Sequence, residues 1–270
     1  MANTSDTSDT PFRFPGDAEP MDGPPPAAAR AELVVPEVPE DFRAGFACLV
    51  GRPNAGKSTL TNALVGTKVA ITSGRPQTTR HNVRGVVHRD DSQLVLVDTP
   101  GLHRPRTLLG KRLNDLVRET LADVDVIAFC VPANERVGPG DRFIARDLAE
   151  TRTPVVAVVT KTDTVSREAV AAQLLAVDRL GEWADVVPVS ASRGRQIDVL
   201  TDVLVSHLPS SPPLYPTGEI TDEPQAVMIG ELVREAALEG VRDELPHSLA
   251  VVVDEILDPT TDTTGSRVKG

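Results

Sequence analysis

The sequence predicts an α/β fold: an open, mostly parallel sheet with helices on both faces, followed by a smaller, partial α+β segment. Three observations carry that prediction. From residue 44 to about 207, short apolar runs alternate with stretches whose apolar residues recur at helical spacing. One run, PVVAVVT at 154–160, is apolar almost throughout, the mark of a strand covered on both faces. At 209–224 the rhythm breaks in PSSPPLYPTGEITDEP, a linker by composition.

Taken in order, residues 1–42 are rich in Pro, Ser, Thr, Asp and Glu. They offer too little apolar area to offset the entropy of ordering them, and read as a disordered acidic tail. AGFACLV (44–50) is the first strand, and a helix starts near Ser58. NVRGVVHR (82–89) and SQLVLVDT (92–99) form a strand pair. Leu109, Leu113, Leu116, Val117 and Leu121 lie at helical spacing. DVIAFCV (125–131) is a strand, Arg142 to Glu150 a helix, and 154–160 the next strand. A helix over about 167–180, the strand DVVPVS (185–190) and a helix over about 195–207 complete the main domain, 43–208. After the linker (209–223) comes the last segment, 224–270. In it, Val227 to Val241 has an apolar face of Ile229, Leu232, Val233, Ala236 and Leu238, ELPHS turns the chain, and LAVVVDEIL (249–257) is a strand.

Composition excludes several classes. The formal charge of -11 offers no bulk attraction for nucleic acid. No apolar run is long enough to span a membrane, and the N-terminus does not read as a signal peptide. Cys48 and Cys130 both lie inside apolar strands, as buried thiols of a reducing compartment do. A cytoplasmic, monomeric protein is expected.

The chemistry is concentrated in four short motifs. GRPNAGKS (51–58) fits the phosphate-loop pattern and stands between a strand and a helix, as its mechanism requires. Gly51, Arg52, Pro53, Asn54, Ala55, Gly56 and Thr59 surround phosphate oxygens at a helix N-terminus, all but Pro53 offering a backbone N–H. Lys57 reaches the outer phosphates, and the Ser58 hydroxyl ligates Mg²⁺. VDTPG ends a strand with Asp98, Thr99, Pro100 and Gly101; Asp98 suits a hold on Mg²⁺, and the Gly101 N–H can approach a γ-phosphate. VVTKTD supplies Thr160, Lys161 and Asp163. A carboxylate buried under the base at Asp163 accepts guanine's N1–H and exocyclic amine, a donor pair adenine lacks. The stem of Lys161 covers the base plane. VSASRG brings Ser190, Ala191 and Ser192, with the Ala191 N–H suited to guanine O6. Together the motifs indicate a phosphate-loop GTPase domain binding GTP and GDP.

The wider stretches GRPNAGKSTLTNAL, VAITSGRPQTTRHNVRGVV, LVDTPGLHRP and EITDEPQAVMIGELVREAALEGVRDELPHSLAVVVDEI resemble the Era family of GTPases over roughly residues 43–257. The resemblance implies a GTP-dependent factor in maturation of the small (30S) ribosomal subunit. It also implies binding of small-subunit rRNA and peripheral association with the inner membrane. The last stretch resembles the start of the family's RNA-binding KH domain. Thr79, with Thr78 as the alternative, would ligate Mg²⁺ in the first switch, and Lys57, Thr79 and Gly101 would serve catalysis. Where many GTPases place a water-orienting Gln this chain has Leu102, followed by His103. Related GTPases without the Gln hold K⁺ through an Asn at the position of Asn54; here Asn54 either does so or steadies the loop by a hydrogen bond.

Three departures from the family pattern stand out. Thr160 replaces the usual Asn, the tail is longer, and the Gly-x-x-Gly loop of a KH domain is not in the sequence. With 11 acidic against 4 basic residues in 221–270, these 270 residues are expected to bind RNA weakly by themselves. Two other readings stay open at this stage: a superfamily GTPase acting in tRNA modification, and a nucleotide-binding interaction protein with negligible catalysis.

Overall fold

The computed structural model describes residues 39–72, 79, 82–102, 108–240 and 249–256. Most of the expected acidic tail therefore lies outside the described residues, as do Thr78 and His103.

Six strands form one sheet: β1 (Arg43–Gly51), β2 (Val83–His88), β3 (Ser92–Asp98), β4 (Val126–Pro132), β5 (Val155–Thr160) and β6 (Asp185–Pro188). Their spatial order is β2-β3-β1-β4-β5-β6. All neighbours run parallel except β2, which pairs antiparallel with β3. The helices α1 (Lys57–Val65), α2 (Leu108–Ala122), α3 (Pro139–Leu148) and α4 (Arg167–Asp178) join the strands, and α5 (Ile197–Ser206) follows the last of them.

Strand side chains alternate between two cores, because successive residues of a strand face opposite ways. Ala47 and Leu49 of β1 pack with Leu60 and Leu64 of α1 and Leu200 and Leu204 of α5. Cys48 and Val50 pack on the other face with Val117 of α2, Ile144 and Leu148 of α3 and Val177 of α4. Both cysteines are fully buried. Burial in apolar surroundings pushes both thiols up, that of Cys130 to about 12.

α3 starts three residues before the expected Arg142. Gly138-Pro139-Gly140 looks like a break in the sequence, yet Pro139 sits in the first turn, where its missing N–H costs nothing, and the Asp141 carboxylate accepts the Gly138 N–H at 2.8 Å.

The stretch after α5 departs further from expectation. It lies along the edge of the sheet beside β2 and β3. The buried amide of Gln93 accepts from the N–H groups of Leu214 (2.6 Å) and Tyr215 (2.9 Å) and donates to the Tyr215 carbonyl (2.9 Å). Val86 N–H donates to Ile220 O, and Arg84 pairs with Asp222. Helix α6 (Gln225–Gly240) follows, and only part of its expected apolar face turns inwards. Leu238 is buried and Ile229 half-buried, but Leu232 and Val233 are exposed, whereas Arg234 and Glu235 are buried. The neighbouring surface explains the buried carboxylate: Glu235 pairs with Lys68 and accepts from the N–H (2.8 Å) and hydroxyl (3.1 Å) of Thr72. Residues 249–256 form no strand, and Val252 is 80% exposed.

Candidate functional site

β1 lies between β3 and β4, and the chain builds the sheet first on the β3 side and then on the β4 side, so the strand order reverses at β1. Such a switch point leaves a crevice at the carboxyl ends of the strands. Every sequence motif opens there. Gly51 ends β1, Asp98 ends β3, Thr160 ends β5, and Ser190 follows β6.

The phosphate loop spans Gly51 to Ser58 and runs into α1. Gly56 caps the helix at φ 91°, a left-handed conformation that a side chain would strain. Asn54 is left-handed too, at φ 61°, and exposed. Lys57 is buried and donates to the carbonyls of Gly51 (3.3 Å) and Arg52 (3.2 Å). Burial draws its ammonium below the ordinary lysine range, and the charge of Asp98 opposes that effect. An ammonium held only by neutral carbonyls in a buried loop is readily taken over by anionic oxygens.

Three hydroxyl and carboxylate groups converge beside it. Ser58 Oγ donates to Asp98 Oδ2 at 2.6 Å, and Thr79 Oγ1 lies 3.1 Å from Ser58 Oγ and 3.3 Å from the same carboxylate oxygen. Hard oxygen donors of this kind suit Mg²⁺, which takes a few protein oxygens and completes its shell with water and phosphate. Among the described residues no cluster of three His, Cys, Asp or Glu residues competes as a metal site.

Thr99 Oγ1 donates to Leu49 O at 2.7 Å and ties the end of β3 to β1, with Pro100 next in the turn. Gly101 comes so close to the phosphate loop that a Cβ there would lie 2.7 Å from Pro53 N. Leu102 donates its N–H to Gly51 O at 3.1 Å, and its side chain is fully buried in the core. It cannot orient water.

At the far end, a cavity of about 200 Å³ is lined by Gly56, Leu60, Thr160, Lys161, Asp163 and Ala191, among others. Thr160 Oγ1 donates to Ala55 O at 2.6 Å, and Lys161 Nζ donates to Asn54 O at 2.7 Å, so both bind the base end to the phosphate loop. Asp163 is exposed at the rim rather than buried. The Ser190 and Ser192 hydroxyls donate to its two oxygens at 2.6 and 2.9 Å. Chiefly through the Ser190 bond, its carboxyl is held below the usual carboxylate range. Its remaining lone pairs are suited to two N–H donors.

Sequence reasoning missed what steadies Arg52. Its guanidinium pairs with Asp141 (2.7 Å), which is fully buried on α3, and with Glu135 (3.0 Å). The signal was an Asp in the first turn of a helix that the sequence reading started too late.

Residues 46–161 match a family model described as a 50S ribosome-binding GTPase. The chain is 69% identical over 221 residues to the GTPase Era of Streptomyces coelicolor, an alignment covering 80% of this chain and 70% of the relative. It is 68% identical over 219 residues to the GTPase Era of Mycobacterium avium, covering 80% and 73%. Among solved structures it resembles Era in complex with MgGDPNP and nucleotides 1506–1542 of 16S ribosomal RNA. That likeness has a TM-score of 0.76 at 35% identity, over 79% of this chain and 73% of the other. It also resembles an Aquifex aeolicus Era variant bound to GDP and AlF4⁻, at a TM-score of 0.75, 35% identity and the same coverage.

Proposed function

The chain belongs to the Era family of GTPases, and from that membership we propose that it is a GTP-binding and GTP-hydrolysing switch in the assembly of the small ribosomal subunit. The observation that carries the nucleotide reading is Asp163, aimed by two serine hydroxyls at the rim of a cavity adjoining the phosphate loop.

Guanine docks its N1–H and exocyclic amine on Asp163 and its O6 on the amide of Ala191. The phosphates lie over the amides of residues 51–59, where the start of α1 adds partial positive charge. Ser58, Thr79 and Asp98 would hold Mg²⁺, which would draw charge from the phosphate oxygens. Lys57 leaves its two carbonyls for the phosphate oxygens and steadies the charge that spreads as water attacks the γ-phosphorus in line and the bond to the β-phosphate oxygen breaks. The Gly101 N–H would meet the γ-phosphate. With Leu102 held in the core, no side chain at that position orients the water, and intrinsic turnover is slow. Asn54 would hold K⁺, whose charge would offset the missing one.

We assign 43–208 to the GTPase domain, 209–223 to the connection and 224–270 to part of a KH-like RNA-binding module. The protein acts as a monomer in the cytoplasm, and any membrane association is peripheral; among the described residues no helix is long and apolar enough to cross a membrane. Its RNA partner is small-subunit rRNA, as in the Era complex with a 16S fragment. Multiple-turnover GTP hydrolysis with and without small ribosomal subunits tests the reading. Slow turnover that subunits accelerate is expected. Nucleotide binding with no turnover in either condition would favour an interaction protein without catalysis.

A further inference from the structure

The base end of the site is short of hydrogen-bond donors. The Thr160 hydroxyl has one proton. It gives that proton to the Ala55 carbonyl at 2.6 Å, in a position only 3% exposed. The Ser190 and Ser192 hydroxyls are committed to Asp163. The Thr164 hydroxyl donates to Lys161 O at 2.7 Å. The Lys161 ammonium donates to Asn54 O in the phosphate loop. Thr59, one residue past Ser58 on α1, also lines the cavity. What remains near Asp163 is the backbone of residues 191–192.

Guanine presents its groups in a fixed order along one edge: exocyclic amine, N1–H, O6, N7. With the first two on Asp163 and O6 on the amides after Ser190, N7 comes next and falls on the Thr160 side. N7 is an acceptor and needs a donor. An amide side chain at position 160 would have two protons, one for Ala55 and one for N7. A hydroxyl has only the one already given away.

Resting on the guanine reading above, we infer that this protein does not read guanine N7. Thr160 serves as an anchor for the phosphate loop, and the base is selected through N1–H, the exocyclic amine and O6 alone. Nucleotides of 7-deazaguanine, which carry a C–H in place of N7, are accepted as equals of the natural ones.

The test is competition of GDP, 7-deaza-GDP and ADP against a fluorescent GDP on the full chain with Mg²⁺. GDP and 7-deaza-GDP should have dissociation constants within about twofold of each other. Thr160→Asn should create a preference for GDP over 7-deaza-GDP of about three- to tenfold, the worth of one added hydrogen bond. Thr160→Val, which removes the anchor, should weaken both nucleotides equally and leave their ratio near one. A threefold or greater preference for GDP in the unmodified protein would overturn the inference. So would a folded Thr160→Asn protein that gains no preference. Should Thr160→Asn fail to fold, the unmodified protein and Thr160→Val still decide. The ADP arm separates the two levels: ADP competing as well as GDP would sink the guanine reading itself, whereas exclusion of ADP with discrimination against 7-deaza-GDP would sink only the inference about N7.

Discussion

Ser190 donates its hydroxyl proton to Asp163 at 2.6 Å, so the loop after β6 aims a carboxylate carried by the loop after β5. Base choice therefore depends on two loops at once. GDP should displace bound GTP, while ATP at equal concentration should displace neither. Because Asp163 is exposed at the rim and water can reach it when the wrong base is bound, the discrimination should fall short of the roughly four orders of magnitude seen where the unpaired polar group is buried. Asp163→Asn should shift preference to xanthine nucleotides, which present a carbonyl in place of the amine. Equilibrium competition checks both, and displacement of GDP by equimolar ATP would refute the assignment of Asp163.

The same bonds set a pH dependence. Ser190 first, and then Ser192, hold the Asp163 carboxyl below the usual carboxylate range. A depressed carboxyl stays ionised until the pH falls through its lowered value, so the interaction is complete above the ordinary aspartate range and lost only below it. GDP affinity measured by titration should be flat from about pH 8 to about pH 5. In Ser190→Ala the acid limb should move upward. A loss of affinity in the unmodified protein that begins well above pH 5 would show that another group controls base binding.

The cation prediction rests on Asn54. Its left-handed backbone (φ 61°) fixes the tip of the phosphate loop, and its carbonyl is tied to Lys161. Leu102 meanwhile provides no polar group. GTP turnover should be faster in K⁺ than in Na⁺ at equal ionic strength, and Asn54→Ala should erase the difference while leaving GDP binding within a few-fold. Equal rates in the two salts for the unmodified protein would remove K⁺ from the mechanism.

What the sequence disclosed and what it hid follow one physical division. The parallel sheet was legible because runs such as 154–160 must be buried on both faces, and local composition carries that information. The residues of the phosphate loop were legible because their backbone conformations and charges are tied to chain spacing. The Ser58–Asp98–Thr79 convergence joins residues already singled out. The polar part of the buried face of α6 was not legible. Helical periodicity predicts that Leu232 and Val233 turn inwards, but Glu235 finds Lys68 and Thr72 more than 160 residues back along the chain. The same holds for Gln93, whose partners at 214–215 lie across the sheet edge, and for Asp141, whose buried charge makes sense only beside Arg52. Polar pairings distant in sequence leave no periodic trace.

Both cysteines should be inert in the native protein. Cys48 and Cys130 are fully buried, and burial raises both thiols, Cys130 to about 12, so thiolate is scarce at pH 8. An aromatic disulfide reagent at pH 8 should label no thiol before unfolding and two in guanidinium. Rapid labelling of the folded chain would contradict the packing of β1 against β4.

Gln93 supports the last prediction. Its buried amide makes three hydrogen bonds to the backbone of Leu214 and Tyr215, and Tyr215 is the only tyrosine in the chain. Gln93→Ala removes all three at once and leaves three backbone groups to find water. Each such group costs about 1–3 kcal/mol when stranded, so the strap should open more readily while the nucleotide site, built on other residues, keeps its affinity. Hydrogen exchange at the Leu214 and Tyr215 amides should then be at least about tenfold faster in Gln93→Ala, because exchange of a locally opened segment follows the open population. GDP affinity should stay within about twofold. Exchange at the unmodified rate would mean that the bonds from Val86 and Arg84 to residues 220–222 hold the strap without Gln93. Loss of GDP binding in step with faster exchange would mean that the strap and the nucleotide site open as one unit.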